Sequence, residues 1–142
     1  MINTQNIETA KKEIKLSKKP IIIKAQDENF NRKILEYGKF EVLLFTPELL
    51  NFKDKPKQLD SALNHVLALL ATKNKVAIGM DLETLRNLQK KEKARILAKL
   101  RQNIKICRKA KTSIAFLNSR DQSNFLLSLG ASTQQVKAAL FY

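Results

Sequence analysis

The chain has 142 residues, 44% of them hydrophobic and 28% charged, with a formal net charge of +14. That length fits a single domain over residues 1–142, and the apolar share is enough for a core rather than a disordered segment. A single cysteine, Cys107, and a single histidine, His65, exclude an internal disulfide, a CxxC metal site and His-rich zinc chemistry.

The elements follow in chain order. Residues 1–19 read as an N-terminal helical extension, with a helix over about 6–17 and none of the uninterrupted apolar core of a secretory signal. Pro20 then leads into a first apolar run at 21–25, and a helix over about 28–37 ends at Gly38, a plausible C′ position. The second run, 41–45, stops before Pro47, and 46–58 reads as a loop in which Lys53, Lys55 and Lys57 alternate around Asp54 and Pro56. A helix over about 60–73 is expected to start at Asp60 as N-cap, with Ala62, Val66, Leu69 and Leu70 repeating at helical spacing. The third run is 75–80, a long basic helix covers 88–110, and the fourth run is 112–117. Ser119-Arg120-Asp121-Gln122 has the form of a capping box opening a helix that Gly130 ends, and Ser132-Thr133-Gln134-Gln135 repeats the form before a last short helix.

The apolar runs are nearly continuous, as in strands buried on both faces of a parallel sheet. Their alternation with helices predicts an α/β fold: a parallel sheet of about four strands with outer helices, a partial or open (β/α) barrel of the TIM/PHP type. An open sheet leaves unpaired edges, so a partner subunit or a homodimer through the edge is expected. No apolar run approaches the roughly 18–20 residues of a membrane span, and a cytoplasmic protein with no membrane partner follows as the expectation.

The charge is concentrated. Residues 84–142 carry 13 Lys and Arg against two acids, whereas residues 1–83 carry 14 against 11. Arg86 to Lys111 alone holds 11 basic residues and one acid, Glu92. At about 100° per residue, Ala94, Leu97, Leu100, Ile104 and Cys107 make an apolar stripe. Lys91, Arg95 and Lys99 make one cationic rail, Arg101, Lys105 and Arg108 a second, and Lys109 lies close to both. Acidic partners at i+4 are nearly absent, so the helix is not a self-neutralised surface. It reads either as a Lys-rich solvated face or as a surface that tracks phosphates, and the regional asymmetry favours phosphates. Few aromatic residues interleave the charges, which suits structured RNA better than a stacked single strand.

Catalytic constellations are scarce. Asp60 and His65 diverge around one predicted helix, Asp81 at the end of the third strand is a lone carboxylate suited to capping, and Cys107 falls in the apolar stripe. With three glycines the chain has no Gly-rich phosphate loop, and one histidine cannot furnish the ligand set of a barrel phosphoesterase. The reading is no catalytic residue, no metal and no cofactor.

Three segments resemble a known family. Leu59 to Ala68 (LDSALNHVLA) with Lys73 to Gly79 (KNKVAIG), then Ala94 to Leu97 with Arg101-Gln102-Asn103-Ile104 and Cys107-Arg108-Lys109, then Ser119-Arg120-Asp121 running to Leu129-Gly130 and Val136 to Leu140, resemble in order the motifs of ribonuclease P protein component 3. This is the archaeal family whose eukaryotic counterpart is the thirty-kilodalton subunit, and the likeness spans residues 20–142. The resemblance implies a (β/α) barrel without metal ligands and a non-catalytic subunit of the ribonuclease P ribozyme. Such a subunit binds ribonuclease P RNA and precursor tRNA with a small protein partner subunit and supports removal of the 5′ leader. It also implies RNA contacts at Arg32, His65, Lys73, Arg101, Lys109 and Arg120. The chain is shorter than the family pattern, with a helix-like segment where strands would precede the match. The competing expectations are a minimal barrel phosphoesterase or nuclease and a homodimeric assembly protein with incidental charge.

Overall fold

The computed structural model describes residues 1–51, 60–81, 83–117 and 123–142. Asn6 caps the first helix, α1 (Ile7–Leu16), its side chain accepting from the backbone N–H groups of Glu8 and Thr9. β1 (Ile22–Lys24) leads to α2 (Glu28–Tyr37), capped by Asp27 and ended by Gly38. β2 (Val42–Phe45) runs into a single turn, α3 (Pro47–Leu50), in which Thr46 is the N-cap and Pro47 occupies the first helical turn. Then come α4 (His65–Lys73), β3 (Ala77–Asp81), a 3-10 turn at Thr84–Asn87, α5 (Lys90–Ala110) and β4 (Ile114–Leu117). α6 (Ser123–Ser128), α7 (Thr133–Ala138) and β5 (Leu140–Phe141) complete the order.

The five strands form one parallel sheet in the order β1-β2-β3-β4-β5, and the sheet is not closed. The expected four strands are present and the expected α/β class holds; β5 is a fifth. The Ser132 capping box is formed as predicted, but α7 stops at Ala138 and the chain straightens to lie beside β4. Phe141 pairs with Phe116, their rings stack with centroids 5.7 Å apart, and the Tyr142 N–H donates to the Phe116 carbonyl at 2.9 Å. This non-local apolar contact overrides the helical reading of the last residues.

Both faces of the sheet are packed. Ile23, Leu43, Phe45, Ile78, Met80 and Phe116 share one core with the helices. Val42, Ala77 and Ala115, with Ile22 against them, form a smaller cluster on the other face. On that face Gly79 leaves no room for a side chain, since a Cβ there would stand 2.5 Å from Val42 Cγ1. Ile2, Ala10 and Ile14 from the first 16 residues join the larger core, and Ile2 bridges Ile23 in parallel.

One helix start departs from expectation. α4 begins at His65 with Asn64 as its cap, accepting from the Leu67 N–H at 2.9 Å, while Asp60 accepts from Ala62 N–H in a separate turn at 3.0 Å. The packed side of α4 carries Leu67, Ala68 and Ala71, and Val66 and Leu69 are exposed at 55% and 47%. The expected loop lysines Lys53, Lys55 and Lys57 lie outside the described residues.

Candidate nucleic-acid interface

The 21 residues of α5 make a rod of about 31 Å at 1.5 Å per residue. Its packed side runs through Ile96, Leu100, Asn103, Ile104, Cys107 and Ala110 against α4, α3 and the sheet. The expected stripe is therefore correct from Leu100 onward, but its first turn is not: Ala94 is exposed, Leu97 is half-buried and Ile96 faces in. Asn103 is fully buried, with neither amide atom meeting a partner among the described residues. Burial also pushes the Cys107 thiol up from an ordinary 9.0 to about 12, so it stays protonated and inert at neutral pH.

That rotation separates the two predicted rails. In the first, Lys91 is exposed, and Arg95 is half-buried with Nη1 donating to Asn51 Oδ1 at 3.3 Å. Lys99 is fully buried, contrary to its expected place on the cationic face. It stands one turn from Ile96 and one from Asn103, so its long stem follows the packed side, and it is engaged there rather than free. It is not available to a phosphate.

The second rail behaves as predicted: Arg101, Lys105 and Arg108 are exposed on one side of α5, with Lys109 exposed beside them. Arg101, Lys105 and Arg108 form one wall of a groove of about 590 Å³, whose other wall is the end of α6 and the turn after it, Leu127 to Gly130. Arg108 also lines an adjoining cavity of about 530 Å³ that reaches Lys111, Ser113 and the start of α7. Gln135 Nε2 donates to the Ile104 carbonyl at 2.9 Å and ties α7 to α5, while Leu126 and Leu129 are buried in the core. Sequence alone gave no sign of this groove. Two short helices separated by a glycine were legible, but not which helix they would lie against, and the expected capping box at Ser119 to Gln122 lies outside the described residues.

The remaining predicted contacts are spread over other helices. Arg32 is exposed on α2 and its Nε donates to Glu36 Oε1 at 3.3 Å. His65 and Lys73 are exposed at the first and last residues of α4. Arg120 lies outside the described residues. Among the described residues, ion pairs join Lys11 to Glu8, Lys19 to Glu41, Lys24 to Glu48 and Arg32 to Glu36.

Among the described residues no group of three or more His, Cys, Asp or Glu side chains could hold a metal ion, and no helix is long and apolar enough to cross a membrane. Asp81 ends β3 and its Oδ1 accepts the Glu83 N–H at 3.1 Å in a local turn; it does not cap the 3-10 turn that follows, whose N-cap is Glu83 without a side-chain bond.

No protein-family model matches the chain. It is 34% identical over 94 residues to ribonuclease P protein component 3 of Methanococcus vannielii, a match that takes in 66% of this chain and 37% of that protein. It is 36% identical over 89 residues to the protein of the same name from Methanocaldococcus jannaschii, covering 63% of this chain and 35% of that one. The chain is a relative of ribonuclease P protein component 3. The corresponding protein of Methanococcus maripaludis strain C7 is 28% identical over 112 residues, covering 79% of this chain and 45% of that protein. The chain thus spans less than half the length of these curated relatives of component 3. Its fold matches a chain in the cryo-EM structure of archaeal ribonuclease P with mature tRNA, with a TM-score of 0.73 and 24% identity over 96% of this chain and 61% of that one. At that identity the likeness concerns the fold.

Proposed function

We propose that the chain acts as one RNA-binding domain over residues 1–142, a non-catalytic protein subunit of ribonuclease P. It would bind the catalytic RNA and precursor tRNA in the cytoplasm, beside a small protein partner, and support removal of the 5′ leader. The observation that carries the reading is the exposed Arg101, Lys105 and Arg108 face on a chain related to ribonuclease P protein component 3. Its work is physical: cations set against phosphates release counterions and lower the repulsion between two RNAs. With about six phosphate contacts, log affinity falls against log salt with a slope of roughly −4 to −5.

The test is reconstitution. Archaeal ribonuclease P RNA and its other protein subunits should cleave precursor tRNA at lower magnesium with this chain than without it, and the chain with magnesium alone should cleave nothing. Cleavage by the isolated chain, lost on changing His65 or Asp81, would establish the barrel phosphoesterase instead. The exposed β5 edge, with Leu140, Phe141 and Tyr142 at 41%, 43% and 40%, supports self-association as a second reading. Light scattering in high salt should then show a dimer that persists.

A further inference from the structure

We propose that one strand of RNA seats its sugar-phosphate backbone in the groove between α5 and the α6–α7 turn, with phosphates on Arg101, Lys105, Arg108 and Lys111. This rests on the RNA-binding reading above and assigns the strand to one place on the surface. The two cavities of about 590 and 530 Å³ both have Arg108 in their lining, so they lie one after the other along the helix as a trough with that side chain between them. Each volume is in the range that holds a nucleotide-sized group. From Arg101 to Lys111 the trough follows α5 for about 15 Å, with a cation at nearly every turn.

Charge selects the occupant. Among the described residues that line the two cavities there is no Asp or Glu, and Arg101, Lys105, Arg108 and Lys111 are all exposed. The opposite wall is neutral: Leu127 at its rim is 46% exposed, followed by Ser128 and Gly130. A backbone lying there places phosphates toward α5 and sugars toward the apolar rim. Among the described residues no aromatic side chain lines either cavity, so the trough holds the strand by its backbone rather than by stacking. The other cationic side of α5 cannot do the same, since Lys99 is buried and Arg95 is bound to Asn51.

The experiment uses the full chain and an archaeal ribonuclease P RNA transcript. Leu127→Cys puts a thiol on the groove rim, and Cys107 does not compete for an alkylating agent at pH 8 because burial holds its pKa at about 12. Saturating RNA should slow alkylation of the introduced thiol several-fold. Ser128→Trp fills the groove without altering charge and should weaken RNA binding about tenfold, the loss of roughly one good contact. Replacing Arg101, Lys105 and Arg108 together with Gln should reduce the salt slope by roughly 2 to 3.

Full RNA affinity in Ser128→Trp, with no protection of the thiol in Leu127→Cys, would overturn the groove while leaving RNA binding intact. Failure of the parent chain to bind the transcript at all would overturn the RNA reading and the groove with it. Protection by polyglutamate but not by RNA would make the trough a dock for an acidic protein segment and overturn the proposal.

Discussion

Arg101 and Lys99 stand two residues apart on α5 and point about 200° apart, so one reaches solvent and the other the core. A buried cation is tolerated when it is engaged, and removing it leaves its partner short of a contact, at a cost of about 1–3 kcal/mol. Surface charges away from such features change stability by roughly 0.5 kcal/mol or less. Lys99→Gln should therefore lower the melting temperature while leaving the salt dependence of RNA binding unchanged. Arg101→Gln should do the reverse, with a shallower salt slope and an unchanged melting temperature. Denaturation and filter-binding titrations on both variants check this; a reduced slope in Lys99→Gln would return Lys99 to the RNA surface. The same pair shows where sequence reading stops at this scale. Lys and Arg are both amphipathic stems with charged ends, and periodicity sees only the end. Ile96 and Leu97 are both apolar, so the pattern did not decide which of them faced inward.

Elements were legible where their signals were redundant. β2, β3 and β4 are buried on both faces and read as continuous apolar runs, and Ser132 to Gln135 formed the capping box its spacing promised. They were illegible where two signals competed: Asp60 and Asn64 are both good caps, and only packing of Leu67 and Ala68 selects the second. The helix-ending glycines were found, yet they differ physically. Gly130 has φ +92° and open space around it, so an added Cβ meets nothing within 4 Å and only the backbone objects. Gly38 has φ +66° and ψ −145°, a region open essentially to glycine alone, and its Cβ would also stand 3.3 Å from Asn74 Cβ. Gly130→Ala should cost about 1 kcal/mol and Gly38→Ala nearer 2–3 kcal/mol. Chemical denaturation measures both, and equal losses would mean that contact with Asn74 adds nothing.

At the scale of the molecule, the net charge of +14 is less informative than its placement. Helices α1, α2, α4 and α5 pack in succession around one side of the sheet. With neighbouring axes about 8–10 Å apart, α1 lies on the order of 25 Å from α5. The Debye length at physiological salt is about 8 Å, so a charge on α1 is screened at the α5 groove. Lys12 and Lys15 are exposed on α1, as Arg101 and Lys105 are on α5. Replacing either pair with Glu lowers the net charge by the same amount. A protein that binds RNA through bulk positive charge would lose equal affinity in both variants. A protein that binds through a placed face should lose most of its affinity in Arg101→Glu/Lys105→Glu and little in Lys12→Glu/Lys15→Glu. Near 10 mM salt, where the Debye length reaches about 30 Å, the α1 variant should begin to weaken as well. Affinities for one structured RNA at the two ionic strengths decide between these cases: equal losses at physiological salt would make the charge of this chain a property of its whole surface and not of α5.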